Sequence, residues 1–469
     1  MSKSWKSTLL LFAILPGLAA CRPQIPPVEG TPSLKTETAA SSSLKTPQET
    51  KVPEVTGDAG QLAGLQIHFL HPWAGETSRV MAQLVDEFNQ TNEWGIHVII
   101  QAPGSAGMAT TEYQNGILNG NPVDLVAASL SLLLSSDQKE KNILDLNPYV
   151  LSSKYGLSQE EQNDFLSVFW NGDVVAGKRL GLPAQRTAGF LFYNSTWASE
   201  LGYSAGPATS SDFRKQVCAA NASLRADADL TNDALGGWIE DPSAITITSW
   251  LRSFGALQPG EEILSFESEE SIAAYQYLYQ LQKEACAWPS RLPEPYDYFS
   301  NRQTLAYSGV MQDVMKQTEA FARSGSKDSW TVLPYPSESR PGAVTNGYSY
   351  GILKSDPENQ LAAWLFVRWL STPEHQARIL QTAGTLPLGE KVQDLLAAFK
   401  AAYPQWQQAV DQIPGTTWAL SQSNGEIIHT VLEDSAWQLF NAGFQSDQIP
   451  GLLRQVDETI QELSERDPW

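Results

Sequence analysis

The sequence predicts an α/β protein built on a largely parallel sheet, and three observations carry that expectation. The folded body opens in the order strand, turn, helix, strand. Short apolar runs then recur between amphipathic helices. The chain is also long enough, at 469 residues, for two sizeable cores. The opening is the clearest of the three. Leu65-Gln66-Ile67-His68-Phe69-Leu70 alternates like a strand, and His71-Pro72-Trp73-Ala74-Gly75-Glu76 reads as a turn. From Thr77, a suitable N-cap, Val80, Met81, Leu84, Val85 and Phe88 recur at helical spacing. Ile96 to Gln101 reads as the second strand, completing the β-α-β unit of a parallel sheet. No Gly-x-Gly-x-x-Gly follows the first strand, which argues against a nucleotide fold.

Further along, Asn121 to Ala128 gives a short strand ending in a Ser-rich loop. Gly181-Leu182-Pro183-Ala184-Gln185-Arg186 leads into the strand Phe190–Asn194, with a helix over Ser195–Leu201 after it. Ser268 caps a helix whose acidic first turn, Glu269-Glu270, suits the helix dipole. Trp330–Leu333 is a strand stopped by Pro334 and Pro336. Asp356-Pro357 and Thr372-Pro373 each open a helix with Pro at its first position. Leu361, Ala362, Leu365, Phe366 and Trp369 form a buried face, and Asn424 to Glu465 is largely helical.

The ends and the bulk composition bound the function. Lys3 and Lys6 precede an apolar run, Leu9 to Leu15, that closes at Leu18-Ala19-Ala20-Cys21. This resembles a bacterial lipoprotein signal over residues 1–20, with Cys21 as the lipidated residue; an ordinary secretory signal is the alternative. The run is too short to span a bilayer. Residues 21–60 are rich in Pro, Ser, Thr, Glu and Lys, so they read as a disordered tether. A flexible chain of that length reaches roughly 35 Å. With 31 basic against 52 acidic residues, the formal net charge is −21, which excludes nucleic acid as a partner and leaves a lipid anchor as the only membrane contact. Apart from Cys21, only Cys218 and Cys286 remain. Export permits a disulfide between them, with two buried thiols as the alternative.

The order of these pieces resembles the maltose-binding-protein-like solute-binding proteins of ABC importers. The matching segments are Phe69–Glu76 before a helix ending Phe88-Asn89; Pro122–Val126; Asp145–Val150; Gly181-Leu182-Pro183 followed by Phe192-Tyr193-Asn194; Leu201-Gly202-Tyr203; Phe366–Leu370; and Thr385-Leu386-Pro387. The resemblance implies a two-lobed, type II Venus-flytrap fold. Its first lobe would hold residues 61–184 and 336–382, and its second 189–331 and 386–469. Three crossings would fall near Pro183–Gly189, Leu333–Pro336 and Thr382–Leu386. It also implies an extracytoplasmic, monomeric protein that passes a carbohydrate to an importer permease. The same fold holding a polyamine, peptide or phosphorylated polyol is the alternative.

A sugar offers an apolar C–H face, which wants flat aromatic surface, and a rim of hydroxyls, which want planar polar groups. Trp is as numerous as Tyr, at 15 each. Trp73 and Glu76 sit between the first strand and its helix, where open α/β sheets bind ligands. Trp238 follows Gly236-Gly237, which would let the backbone approach a ligand. Trp418 follows Pro414-Gly415. For each of these Trp a place in the core is the alternative. Gln185 and Arg186 lie at the first crossing, Asn346 and Tyr348 in a Gly-containing loop, and Ser129 at a strand end; all are candidate ligand contacts. Asp124 reads as architecture and Trp250 as core.

No enzyme, metal or cofactor motif stands against this reading. Gly347-Tyr348-Ser349-Tyr350-Gly351 formally fits a nucleophile elbow, but the strand-like residues follow the Ser instead of preceding it. Five His with no Cys or Glu at ligand spacing argue against a metal site.

Overall fold

A computed structural model describes residues 55–257, 265–337, 343–415, 417–418 and 422–466. The signal segment, Cys21 and nearly all of the tether lie outside them. In chain order, the elements that position the site begin with β1 (Gln66–Leu70), α1 (Gly75–Thr91), β2 (His97–Gln101), α2 (Ala106–Leu118), β3 (Leu125–Ala128) and α3 (Leu130–Lys139). Next come β4 (Leu182–Asn194), α4 (Ser210–Arg225), β5 (Gly236–Ile239), α5 (Ala244–Ser253), α6 (Glu269–Lys283) and β6 (Ala287–Trp288). The remainder are β7 (Thr304–Val310), α7 (Asp313–Ser324), β8 (Trp330–Leu333), β9 (Val344–Ile352), α8 (Pro357–Leu370), α9 (Pro373–Ala383), α10 (Pro404–Val410), β10 (Thr417–Trp418), α11 (Gly425–Leu439) and α12 (Ile449–Arg466).

The strands follow the order β2-β1-β3-β9-β4-β7-β5-β6, with β8 added beside β4 and β10 beside β9. β1 runs parallel to β2 and β3, and β5 parallel to β6 and β7, so each lobe carries a parallel sheet as expected. One strand joins them. Residues Leu182 to Ala188 of β4 pair with β9, and residues Gly189 to Asn194 pair with β7 and β8. The chain therefore passes from one lobe to the other within a single strand. The segment read as leading into a strand from Gly181 is itself strand, buried along its whole length. Gly189 sits at the changeover because Ile245 of α5 packs against it, 3.1 Å from where a Cβ would lie.

Local signals explain most boundaries. Ser268 caps α6 by accepting from the Ser271 N–H, and Pro357 and Pro373 stand in the first turns of α8 and α9. α1 departs from expectation. It begins at Gly75, whose φ of +55° turns the chain two residues early, so Thr77 lies inside the helix and caps nothing. Val80, Met81, Leu84, Val85 and Phe88 are its buried face, and the Phe88 ring meets Phe366 of α8 at 4.9 Å. β3 is shorter than the run from Asn121. Asp124 instead accepts from the His68 N–H at 2.9 Å and from Asn359 at 3.3 Å, which is the architectural role expected of it.

Cys218 of α4 and Cys286 are bonded to each other, 68 residues apart in sequence. Closing a loop of that length stabilises the fold by about 4 kcal/mol in the chain-entropy model. Two glycines allow the backbones to approach closely here. A Cβ on Gly237 would lie 1.9 Å from the Cys286 carbonyl oxygen, and one on Gly236 2.7 Å from Asn221 Cα. The Gly-Gly pair lets β5 press against β6 and α4, and neither glycine lines the cavity between the lobes.

Candidate functional site

A cavity of about 400 Å³ opens between the lobes. Pro72, Ser129, Gln185, Asn346 and Tyr348 line it from the first-lobe sheet, the last three on β4 and β9. Gln312, Glu426 and His429 line it from the second lobe. Ser129 has two tasks. Its hydroxyl oxygen caps α3 by accepting from the Leu132 N–H at 3.2 Å, and its O–H donates to Glu426 Oε1 of α11 at 2.7 Å. That second bond crosses the gap between the lobes. The Thr187 hydroxyl of β4 donates in the same manner to Gln312 Oε1, just ahead of α7.

Gln185 is the most informative residue in the wall. The indole N–H of Trp73 is buried and needs an acceptor, and it finds Gln185 Oε1 at 2.8 Å. That bond decides which way the amide points. Its Nε2 is then left as a buried donor with no partner, on a side chain 7% exposed that lines the cavity. Trp73 is thus a core residue, packed edge-on against Phe69 and Tyr350, and acts on the cavity through Gln185 instead of offering a ring to a ligand. The His71 ring lies 5.0 Å from it, with both ring nitrogens buried and unpartnered. Burial pulls the His71 pKa down from 6.5 to about 4, so it is neutral at pH 7.

Arg186 departs from its expected role. Its guanidinium is fully buried, and its Nη2 donates to both carboxylate oxygens of Asp173, at 2.9 Å each. It also donates to Ser349 Oγ at 2.9 Å and to the Tyr348 carbonyl. Arg186 is among the residues lining the cavity, but those donors are spent on protein, so its buried side chain braces the wall. Ser349 donates in turn to Asp173 at 2.7 Å and lies within β9, without the strand-to-helix turn a nucleophile needs. Gly347 permits the joint between β9 and β4, since a Cβ there would lie 2.0 Å from the Gln185 carbonyl oxygen. Tyr348 is half-buried, and burial together with the Glu426 carboxylate raises its hydroxyl above the usual range.

The other expected contacts fall elsewhere. Glu76 is exposed on the first turn of α1 and pairs with Arg79 three residues on, outside the cavity lining. Trp238 is fully buried in the second-lobe core. It packs against Trp250 at 6.1 Å and donates its N–H to Ser308 Oγ at 3.2 Å, so no face is left for a ligand. Trp250 is core, as expected. Trp418 lies in β10 beside Val344 and Thr345, and its side chain is outside the description. Sequence reasoning missed Thr187, Gln312, Glu426 and His429. Only proximity to strand and helix ends could have suggested them.

A second cavity, of about 740 Å³, lies wholly on second-lobe elements, at the ends of β5 and β7 and under the loop after β6. Trp437 of α11 stands at its rim, 66% exposed, and is the one Trp among the exposed large apolar residues described.

Comparison with known proteins agrees with the two-lobed layout. The family model for the bacterial extracellular solute-binding proteins matches residues 83–441, well over half of the chain. The chain belongs to that family. Among solved structures, the solute-binding fold recurs in the cyclic α-maltosyl-1,6-maltose binding protein from Arthrobacter globiformis, with a TM-score of 0.68 at 14% identity, covering 85% of this chain and 99% of that one. The sugar-binding protein MalE of Xanthomonas citri gives 0.69 at 20% identity, covering 85% and 98%. UgpB of Mycobacterium tuberculosis, solved with glycerophosphocholine, gives 0.67 at 16% identity, covering 86% and 98%. No curated protein sequence matched. At these identities the likeness establishes the fold. Among the described residues no helix is long and apolar enough to cross a membrane.

Proposed function

We propose that this solute-binding protein captures a sugar or short oligosaccharide in the interlobe cavity and hands it to an ABC importer. The observation that carries the ligand class is the unpartnered, buried Gln185 Nε2, held in place by Trp73 and lining the cavity. A buried donor without a partner costs about 1–3 kcal/mol, and a ligand hydroxyl would recover it. Asn346, Tyr348, Gln312 and Ser129 add neutral hydrogen-bonding groups around it, the chemistry that hydroxyls need. The sugar-binding proteins among structures of the same fold support the class. Ligand contacts made only with the lobes together would draw the population toward the closed form, and β4, shared by both sheets, is the natural hinge. Anchoring through Cys21 and a monomeric state complete the reading, resting on the Leu-Ala-Ala-Cys segment and on the family.

A thermal-shift panel of neutral mono- and oligosaccharides tests this. A sugar present at about 100 times its dissociation constant adds about 2.7 kcal/mol of stability. A panel in which no sugar moves the melting temperature, while glycerophosphodiesters do, would overturn the sugar reading and leave the fold untouched.

A further inference from the structure

The second-lobe cavity has chemistry of its own. Four carboxylates line it, Glu240, Asp241, Glu294 and Asp313, against a single basic residue, Arg291. Among the described residues none of the four is in an ion pair within 4.0 Å; Lys316 is the cation that bears on Asp313 from farther off. Asp313 is aimed. It accepts from the Tyr296 hydroxyl at 2.6 Å and from the Val310 N–H at 2.8 Å, which leaves lone pairs on both oxygens. Asp241 is held by the Ser243 N–H at 3.0 Å and by two hydroxyls.

Two buried polar atoms in this wall have no partner. One is Glu240 Oε1. The other is the hydroxyl of Tyr307, a side chain 1% exposed whose ring is stacked on Phe192 at 4.6 Å. Native proteins leave few such atoms, and each asks for an explanation. The exposed Trp437 stands over the same opening, where an unpaired aromatic face of that size is otherwise a liability.

Burial resists charge on these acids. Glu240 is pushed up to about 7, and Asp241 and Asp313 are raised as well. A set of carboxylates held in a poorly solvated wall gains most from an incoming cation, because the cation supplies the missing counter-charge and the missing hydrogen-bond donors together. An aromatic face at the mouth attracts the same kind of group. We propose that the second-lobe cavity is a binding site for an ammonium group carried on a compact organic frame, separate from the interlobe cavity and independent of the sugar reading. Glu240 and Asp313 receive the N–H donors and Trp437 covers the adjoining carbons. Amino sugars and polyamines both present that group.

The test uses the full chain and titration calorimetry at low and high salt. The probes are a glucosamine trimer, its fully N-acetylated counterpart and spermidine. At least one ammonium probe binds. If the trimer binds, acetylation weakens it by at least about tenfold; if spermidine alone binds, the natural ligand is a polyamine. Trp437→Ala and Glu240→Gln each weaken the bound probe by at least about tenfold. Trp437 is a surface residue and Glu240→Gln preserves shape, so melting curves verify that both variants fold. The proposal is overturned if neither ammonium probe binds, if the acetylated trimer binds as well as the amine, or if both variants bind as the parent does.

Discussion

The two cavities lie along one helix and are lacking in opposite things. His429 and Trp437 are eight residues apart on α11, roughly 12 Å, and line different cavities. The interlobe wall carries a spare donor, Gln185 Nε2, while the second-lobe wall carries a spare acceptor, Glu240 Oε1, beside a free hydroxyl. The difference traces to where the counter-charge sits. In the interlobe wall, Arg186 and Asp173 neutralise one another inside the protein. What faces the cavity is then mostly amide and hydroxyl, with Glu426 tied to Ser129. In the second-lobe cavity none of the four lining carboxylates has an ion pair within 4.0 Å among the described residues, and Lys316 bears on Asp313 only from farther off. The charge a binding wall presents is thus decided by whether its partner charge is part of the fold.

The sharpest way to break the comparison is to remove the built-in partner. Asp173→Ala leaves the Arg186 charge buried and unpaired, and should cost about 3–5 kcal/mol in denaturant unfolding. A variant of parental stability would mean that the pair does not hold the wall. Close behind comes the second lobe's own brace. Replacing Cys218 and Cys286 by Ser together should cost about 4 kcal/mol and show first in second-lobe hydrogen exchange.

Acid separates the lobes further. The folded-state pKa of His71, about 4, lies below its unfolded value near 6.5. Between those values the unfolded chain binds more protons. Stability therefore rises with pH across the window and is lost as pH falls through it, by up to about 3 kcal/mol. Unfolding curves from pH 7 to 4 should show that loss, and His71→Phe should flatten it relative to the parent. An equal slope in both proteins would contradict a buried neutral imidazole.

Smaller effects probe the interlobe wall itself. Gln185→Ala should weaken binding of the best sugar by about 1–3 kcal/mol in calorimetry, with the loss in affinity exceeding any loss in stability. Ser129→Ala removes the bond to Glu426 across the gap and should shift affinity by about 1 kcal/mol or less. A larger change there would make Ser129 a ligand contact in its own right.

Much of the fold is legible in the sequence. Val80, Met81, Leu84, Val85 and Phe88 announced one helix face, and Ser268, Pro357 and Pro373 announced helix starts. These are local signals, written in spacing and backbone preference. The site was legible only in part. Ser129, Gln185, Asn346 and Tyr348 do line the interlobe cavity, because strand ends and glycine-bearing joints are where such folds open. The roles given to Trp73, Trp238 and Arg186 were not legible. An indole beside a turn or a glycine looks the same in sequence whether it faces a ligand or a core, and an arginine beside a hinge does not show that Asp173 lies under it.

By itself, then, the sequence determined the α/β class, the helix starts, the export-compatible cysteine pair and the acidic surface, since each follows from residues close together in the chain or from composition. Only the tertiary structure decided which rings are buried, which amide is left without a partner and which carboxylates have no cation. Those are properties of distances between residues 13 to nearly 300 positions apart, from Asp173 and Arg186 to Ser129 and Glu426, and no local pattern encodes them.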